Sequence, residues 1–204
     1  MKNIKNIIFD LGGVLLNIDY NLTRRAFESY GIAQFDDMYS QSKADELFQR
    51  LEKGSISVDN FYTELNKCTG LQLTPKEIKE AWNAILLDFR EESLRFLEAL
   101  KPKYQLYLLS NTNFIHMSAF NDIYHSKERK GNFDDYFTKA YYSCEIGFRK
   151  PDADCYAWVL SDIGAKAAET LFIDDSIQNI EAAKQAGMQT IHLTAGKNIE
   201  DLRL

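Results

Sequence analysis

The chain has 204 residues, 45% of them hydrophobic, with 24 Lys and Arg against 30 Asp and Glu for a formal net charge of −6. That length suits one domain, or one domain carrying an insertion, and the apolar fraction is enough for a sizeable core, which excludes a disordered chain. The acidic balance offers no positive field to nucleic acid or to an anionic membrane, so neither is expected as a partner, and an anionic substrate must be met by local cations.

The first apolar run follows two lysines, Lys2 and Lys5, as in a secretory leader, but Asp10 interrupts it and no small-residue cleavage site follows. Residues 6–10 are therefore read as a buried strand. From 19 to 89 no strand pattern occurs, and three or four helical patterns follow one another. Leu47, Phe48 and Leu51 mark one apolar face, and Phe61 and Leu65 another. Thr74, Pro75 and Glu77 form a capping box with proline at the first helical position. The aromatics Phe61, Tyr62 and Trp82 are read as the core of this helical insert.

Strands are expected at 105–110, 140–143, 170–174 and 189–193, apolar on both faces as in a parallel sheet covered on each side. Helices are expected at 114–124, 153–163 and 177–186, the last stopped by Gly187. The charged run 126–131 is expected to be a solvated loop. Strand alternating with helix predicts an α/β fold, a Rossmann-like doubly wound parallel sheet, with a core domain of 1–18 and 90–204 and a small helical cap of 19–89. Cys68, Cys144 and Cys155 form no close pair, which predicts a reduced, cytoplasmic protein. No apolar run approaches the ~18 residues of a membrane span.

In an open parallel sheet, ligands bind beyond the carboxyl ends of the strands, near the switch in strand order. The first strand ends Phe9-Asp10-Leu11-Gly12-Gly13, the second Leu109-Ser110-Asn111-Thr112-Asn113. A later segment reads Arg149-Lys150-Pro151, and another strand ends Ile173-Asp174-Asp175-Ser176 with Asn179 just beyond. Singly, each has an ordinary reading: a turn, a helix cap, an exposed loop lysine. Their joint occurrence at successive strand ends argues for a site. His116, His125 and His192 show no metal-ligand spacing and receive no role.

Taken in order, these four pieces resemble the haloacid dehalogenase superfamily, whose members are mostly Mg²⁺-dependent phosphatases, and the resemblance runs from Phe9 to Gly187. It implies that Asp10 is the nucleophile, that Ser110, Asn111 and Lys150 hold the phosphate of a small phosphorylated metabolite, and that Asp10, Asp174 and Asp175 sit at Mg²⁺, with the Gly12 carbonyl as a further oxygen ligand. The inserted helices resemble the small cap between the first and second motifs. The chemistry is coherent: a carboxylate facing a phosphate dianion is repelled unless a hard cation bridges them, and Lys150 adds a fixed positive charge.

The chain departs from the family at Gly12, where its phosphatases carry a second aspartate that protonates the leaving group. Such a loss reduces rates by about 10²- to 10⁴-fold if nothing replaces the acid. Three readings follow: a phosphatase whose leaving group departs readily or whose acid comes from elsewhere, with Asp19 a candidate; a weak or inactive relative that binds phosphate compounds; or a 2-haloacid dehalogenase, a branch that also lacks this aspartate. The Asp174-Asp175 pair disfavours the last, which needs no metal and lacks an acidic pair in the fourth motif. The four motifs, with glycine at the second position, are similar to a bacterial α-glucose-1-phosphatase branch, which implies a sugar 1-phosphate as substrate.

Overall fold

The protein is described by a computed structural model over residues 3–32 and 46–204. Five strands, β1 (Asn6–Phe9), β4 (Gln105–Ser110), β5 (Lys139–Tyr142), β6 (Thr170–Asp174) and β7 (Gln189–His192), form one sheet in the order β5-β4-β1-β6-β7. All four pairings are parallel. Asn6 lies opposite both Gln105 and Thr170, so β1 is central and the carboxyl ends of β1, β4 and β6 lie side by side. The expected strands appear within a residue or two of their predicted limits.

The pleat of β1 explains the two layers of core. Ile7 and Phe9 point into one apolar cluster with Leu108, Phe120 and Ile173, while Ile8 points to the other face, among Tyr107, Tyr156 and Phe172. Helices α5 (Glu91–Leu100), α6 (Phe114–Ser126), α8 (Ala153–Asp162) and α9 (Ile177–Gln185) supply the covering side chains, and a four-residue helix, α7 (Ser143–Ile146), follows β5. The run expected as a solvated loop is so at Lys127 and Glu128. Arg129 differs: its guanidinium lies over the Phe89 and Tyr124 rings, donates to the Tyr124 carbonyl at 2.6 Å and pairs with Glu91. Its aromatic neighbours come from distant elements, so a local charge pattern does not reveal them.

Between β1 and β4 the chain forms helices α1 (Tyr20–Ser29), α2 (Glu46–Glu52), α3 (Val58–Thr69) and α4 (Pro75–Asn83). The expected capping box is present: Glu77 N–H donates to Thr74 Oγ1 at 3.3 Å, and Thr74 N–H donates to the Glu77 carboxylate at 2.7 Å. Phe27, Phe48, Phe61 and Trp82 bury one another, with Phe48 stacked on Trp82 at 5.1 Å. The insert therefore has its own core, and Phe61, Tyr62 and Trp82 belong to it as expected.

One expectation fails. Residues 19–89 do contain a strand, β3 (Leu86–Phe89), which pairs antiparallel with β2 (Leu16–Ile18). Leu86-Leu87-Asp88-Phe89 directly continues the apolar pattern of α4, and its partner is three residues long and 68 to 73 positions away, so local periodicity reads helix. The ribbon matters because it joins insert to core: Asp19 N–H donates to Ile85 O, and Arg90 N–H to Leu15 O, both at 2.9 Å.

The insert also touches the core at the turn after α2. Gly54 has φ +64°, and a Cβ there would collide with the backbone carbonyl of Cys144, so the two segments meet main chain to main chain. Lys53 pairs with Asp152 at 3.0 Å beside it. Cys68 is exposed and Cys144 and Cys155 are buried, all three as free thiols. No helix among the described residues is long and apolar enough to cross a membrane.

Candidate active site

Asp10 is the first residue beyond β1, and its N–H continues the sheet ladder to Ile173 O at 2.9 Å. The carboxylate is thus held at the strand tip by backbone pairing. Lys150, with 1% of its side chain exposed, donates from Nζ to Asp10 Oδ1 and to Asp174 Oδ2, each at 2.7 Å. Asp174 is fully buried and its carboxylate is saturated. Oδ1 accepts from Ser176 N–H at 2.8 Å and Asn179 Nδ2 at 3.1 Å, and Oδ2 accepts from Asn179 Nδ2 at 3.0 Å as well as from Lys150. Asp175 is open to solvent, while its carbonyl lies 2.9 Å from His192 Nε2. Gly13, at φ +71°, leaves the space its carboxylate fills, since a Cβ there would collide with it.

The electrostatics of this cluster are unbalanced. Carboxylate oxygens of Asp10, Asp174 and Asp175 all lie within 4.8 Å of one another. Three carboxylates against the one Lys150 ammonium leave a formal −2 when all are ionised. Burial pushes the Asp10 carboxyl up to about 7; Lys150 opposes this, and the charges of Asp174 and Asp175 add to it. Asp175 is raised too, first because its carboxylate is partly desolvated against the cluster although the residue reaches solvent, and then by Asp174. Burial works against charge on Lys150, but Asp10 and Asp174 outweigh it and raise its pKa, so it stays cationic. A hard divalent cation with oxygen ligands fits this donor set and cancels the excess charge. Asp10 and Asp175 have carboxylate capacity to offer it, whereas Asp174 has spent its own.

The loop after β4 is tied to the Lys150 segment. Asn111 Nδ2 donates to Lys150 O at 2.7 Å, and Lys150 N–H donates to Asn111 Oδ1 at 2.9 Å. The Asn111 side chain is therefore consumed in placing Lys150, which leaves its main-chain N–H as the group it can offer an anion. Ser143 Oγ receives Thr112 N–H at 2.9 Å and donates to Thr112 O at 3.0 Å. Asn113 caps α6, accepting from Ile115 and His116 N–H, so those two first-turn amides are already spent. The Ser110 hydroxyl is buried at the strand end and has no protein partner among the described residues.

Between this floor and the insert lies a cavity of about 530 Å³. Asp10, Ser110, Lys150 and Asp175 line its sheet side, and Glu52 and His116 are among the residues of its other walls. Glu52 Oε2 stands 3.0 Å from Arg149 Nε, with neither atom making a directed hydrogen bond. Burial raises the Glu52 pKa against the pull of Arg149, Lys150 and Lys53. Asp19 is not on the cavity wall: it caps α1, accepting from Asn21 N–H at 2.9 Å and Asn21 Nδ2 at 3.0 Å. It is thus committed as a cap, against the expectation that it could supply a proton. Gly12 does line the cavity, and a Cβ there would meet only the Ile18 side chain, at 3.1 Å.

The structure brings Asp10, Ser110, Lys150, Asp174 and Asp175 together at one end of the sheet, and adds Glu52 and His116, to which sequence reasoning gave no role, on the walls of the same cavity. A signal existed. Glu52 stands four residues after Phe48 and His116 four before Phe120, so each is a polar residue on a buried helical ridge.

The profile of haloacid dehalogenase-like hydrolases matches residues 4–187, and the chain belongs to that family of hydrolases. It is similar to a D-ribitol-5-phosphate phosphatase of Bacteroides thetaiotaomicron, 36% identical over 187 residues that cover 92% of this chain and 90% of that one. A crystal structure of a haloacid dehalogenase family enzyme from Bacteroides thetaiotaomicron, in complex with magnesium and inorganic phosphate, superposes with a TM-score of 0.91 at 34% identity, covering 97% of this chain and 98% of the other. A predicted hydrolase of the same kind from Porphyromonas gingivalis gives 0.87 at 35% identity, with coverage of 96% and 93%.

Proposed function

We propose that the protein is a Mg²⁺-dependent phosphatase of small phosphorylated carbohydrates that carries the phosphoryl group transiently on Asp10. The observation that carries this reading is the Lys150 ammonium shared by Asp10 and Asp174 at 2.7 Å each, beside the open carboxylate of Asp175. Mg²⁺, held by Asp10, Asp175 and the Gly12 carbonyl, would supply the charge that lets a carboxylate face a phosphate dianion. Lys150 and the Ser110 hydroxyl then hold the equatorial oxygens, with the Asn111 N–H beside them. Asp10, its main chain held by the bond to Ile173 O, attacks phosphorus as the ester P–O bond breaks, and the alcohol leaves with that electron pair and takes a proton from solvent. Water then hydrolyses the aspartyl phosphate, releasing inorganic phosphate and restoring the carboxylate. Asp174, saturated by four hydrogen bonds, positions Lys150.

Two substrate classes have separate grounds. Gly12 favours an alcohol that leaves with little protonation, which is the reason for a sugar 1-phosphate. The relative that acts on D-ribitol 5-phosphate is the reason for a primary ester of a polyol. Phosphate release from a panel holding both ester types, with and without Mg²⁺, tests the reading. Turnover that stops on chelation is expected. A silent panel with measurable phosphate binding would favour the non-catalytic relative, and metal-independent halide release from 2-haloacids would favour a dehalogenase.

A further inference from the structure

On the cap side of the cavity stands an imidazole with one nitrogen tied and the other untied. His116, on α6, stacks on Trp82 of α4 with 5.2 Å between ring centroids and 4° between planes. Its Nδ1 lies 2.9 Å from Asn83 Oδ1, at the end of α4. Because that oxygen only accepts, Nδ1 carries the proton and Nε2 presents a lone pair. Nε2 has no hydrogen-bond partner among the described residues and is not sealed off, and the side chain lines the cavity. Burial pushes the imidazole pKa down to about 3, so the ring is neutral wherever the protein works near neutral pH.

An acceptor in that position selects donors. Phosphate and carboxylate oxygens are acceptors and gain nothing from Nε2, whereas an alcohol hydroxyl has a proton to give. The stack and the Asn83 bond fix the ring plane from two directions, so the lone pair has a preset direction and little rotamer freedom is lost on binding. We propose that His116 reads the alcohol part of the substrate, its Nε2 accepting a hydrogen bond from a hydroxyl of a phosphorylated polyol or sugar. The assignment rests on the phosphatase reading above. A hydroxylated alcohol satisfies the nitrogen, while a hydroxyl-free chain displaces its water and leaves it unpaired, which is how a polar site rejects an apolar analogue.

The test compares kcat and KM for ribitol 5-phosphate, or whichever hydroxylated ester of the panel turns over fastest, with those for n-pentyl phosphate, a primary ester with no free hydroxyl. His116→Phe keeps a ring for Trp82 and removes the acceptor; His116→Gln returns an amide oxygen. The wild type should prefer the hydroxylated ester. His116→Phe should raise its KM by about 10-fold or more while leaving kcat and the pentyl ester nearly unchanged, and His116→Gln should recover part of the loss. Asn83→Leu, which keeps the imidazole but removes the partner that fixes its orientation and its tautomer, should reduce the preference by about 2- to 5-fold and decides the matter if His116→Phe does not fold. An equal loss on both esters, or a preference unmoved in the folded variants, overturns the assignment to His116 and leaves the phosphatase standing. A wild type that hydrolyses no ester of the panel overturns the phosphatase, and with it this inference.

Discussion

On the sheet side of the cavity most polar groups are tied down: Asn111 clamps the Lys150 main chain at both its N–H and its carbonyl, Asp174 accepts four bonds, one of them from backbone, and Asp10 continues a strand. The Ser110 hydroxyl and the Asp175 carboxylate are left to a ligand. On the cap side the bonding is looser. Glu52 and Arg149 approach to 3.0 Å without a directed hydrogen bond, and His116 leaves a nitrogen untied. The first side is organised before any ligand arrives, as stabilisation of developing charge requires. The second keeps hydrogen-bonding capacity unspent, which suits reading a variable alcohol. Chemistry is thus assigned to strand ends, and selectivity to the seam where the core helix α6 and the Arg149 segment meet the inserted helices.

The strongest way to break the sheet side is Asp10→Asn, which keeps the shape and removes the nucleophile. Turnover should fall by about 10⁴-fold or more, while thermal melting shows a folded protein. Substantial activity in that variant would sink the aspartyl-phosphate route. Lys150→Met should come next, with stability at pH 7.5 reduced by about 3–5 kcal/mol, because it leaves buried carboxylates without their cation. The deficit measured by urea unfolding should shrink at pH 5, where Asp10 takes up a proton.

Metal binding sharpens the same comparison. Asp175→Ala should raise the Mg²⁺ concentration for half-maximal activity by about 100-fold or more, and Asp174→Ala by less, since its oxygens are already saturated. The metal-free protein offers an independent readout. Asp10 titrates near 7 when folded against an ordinary value of 3.8, so the folded state binds more protons between about pH 4 and 7. The contribution of Asp10 to stability should therefore be fully present below that window and be lost as pH rises through it, a decline that Asp10→Asn should remove. Added Mg²⁺, which favours the ionised carboxylate, should raise the melting temperature more at pH 7.5 than at pH 5. Equal shifts at both would contradict the placement of the metal on Asp10.

The smallest effect is the one that joins the two sides. Only the tip of Ile18 crowds a side chain at Gly12, so Gly12→Asp should fold. If no acid serves the natural protein, log kcat/KM should drop steeply with leaving-group pKa, and Gly12→Asp should flatten the line by about 10-fold across the series. A line already flat in the natural protein would mean that another group gives the proton. Glu52 would then be the carboxyl to replace.

Residues at strand ends were readable because parallel pairing fixes their position: once 6–10, 105–110 and 170–174 are strands, Asp10, Ser110 and Asp174 must share one edge. The insert lacks that constraint. Glu52 sits on a buried ridge of the insert and His116 on a ridge of α6 that faces it, and which neighbour each ridge meets depends on how the four inserted helices fold back on the core. The β3 strand was hidden for a related reason, since its partner β2 lies 68 to 73 residues away and helical periodicity runs straight into it. Asn111 is a related case: the sequence marks it as a residue beside the phosphate, but not that its side chain grips a segment 39 residues distant.

The main-chain contact between Gly54 and the Cys144 carbonyl sets a hard stop for the roof of the cavity. Side chains along the walls can be exchanged to alter room and polarity, but any residue larger than glycine at that turn would act as a wedge, prising α2 and its Glu52 away from Arg149. Redesign for bulkier phosphate esters therefore has a coarse control, Gly54→Ala or larger, and a fine one in the lining side chains. The coarse control widens the opening at the expense of exclusion of water.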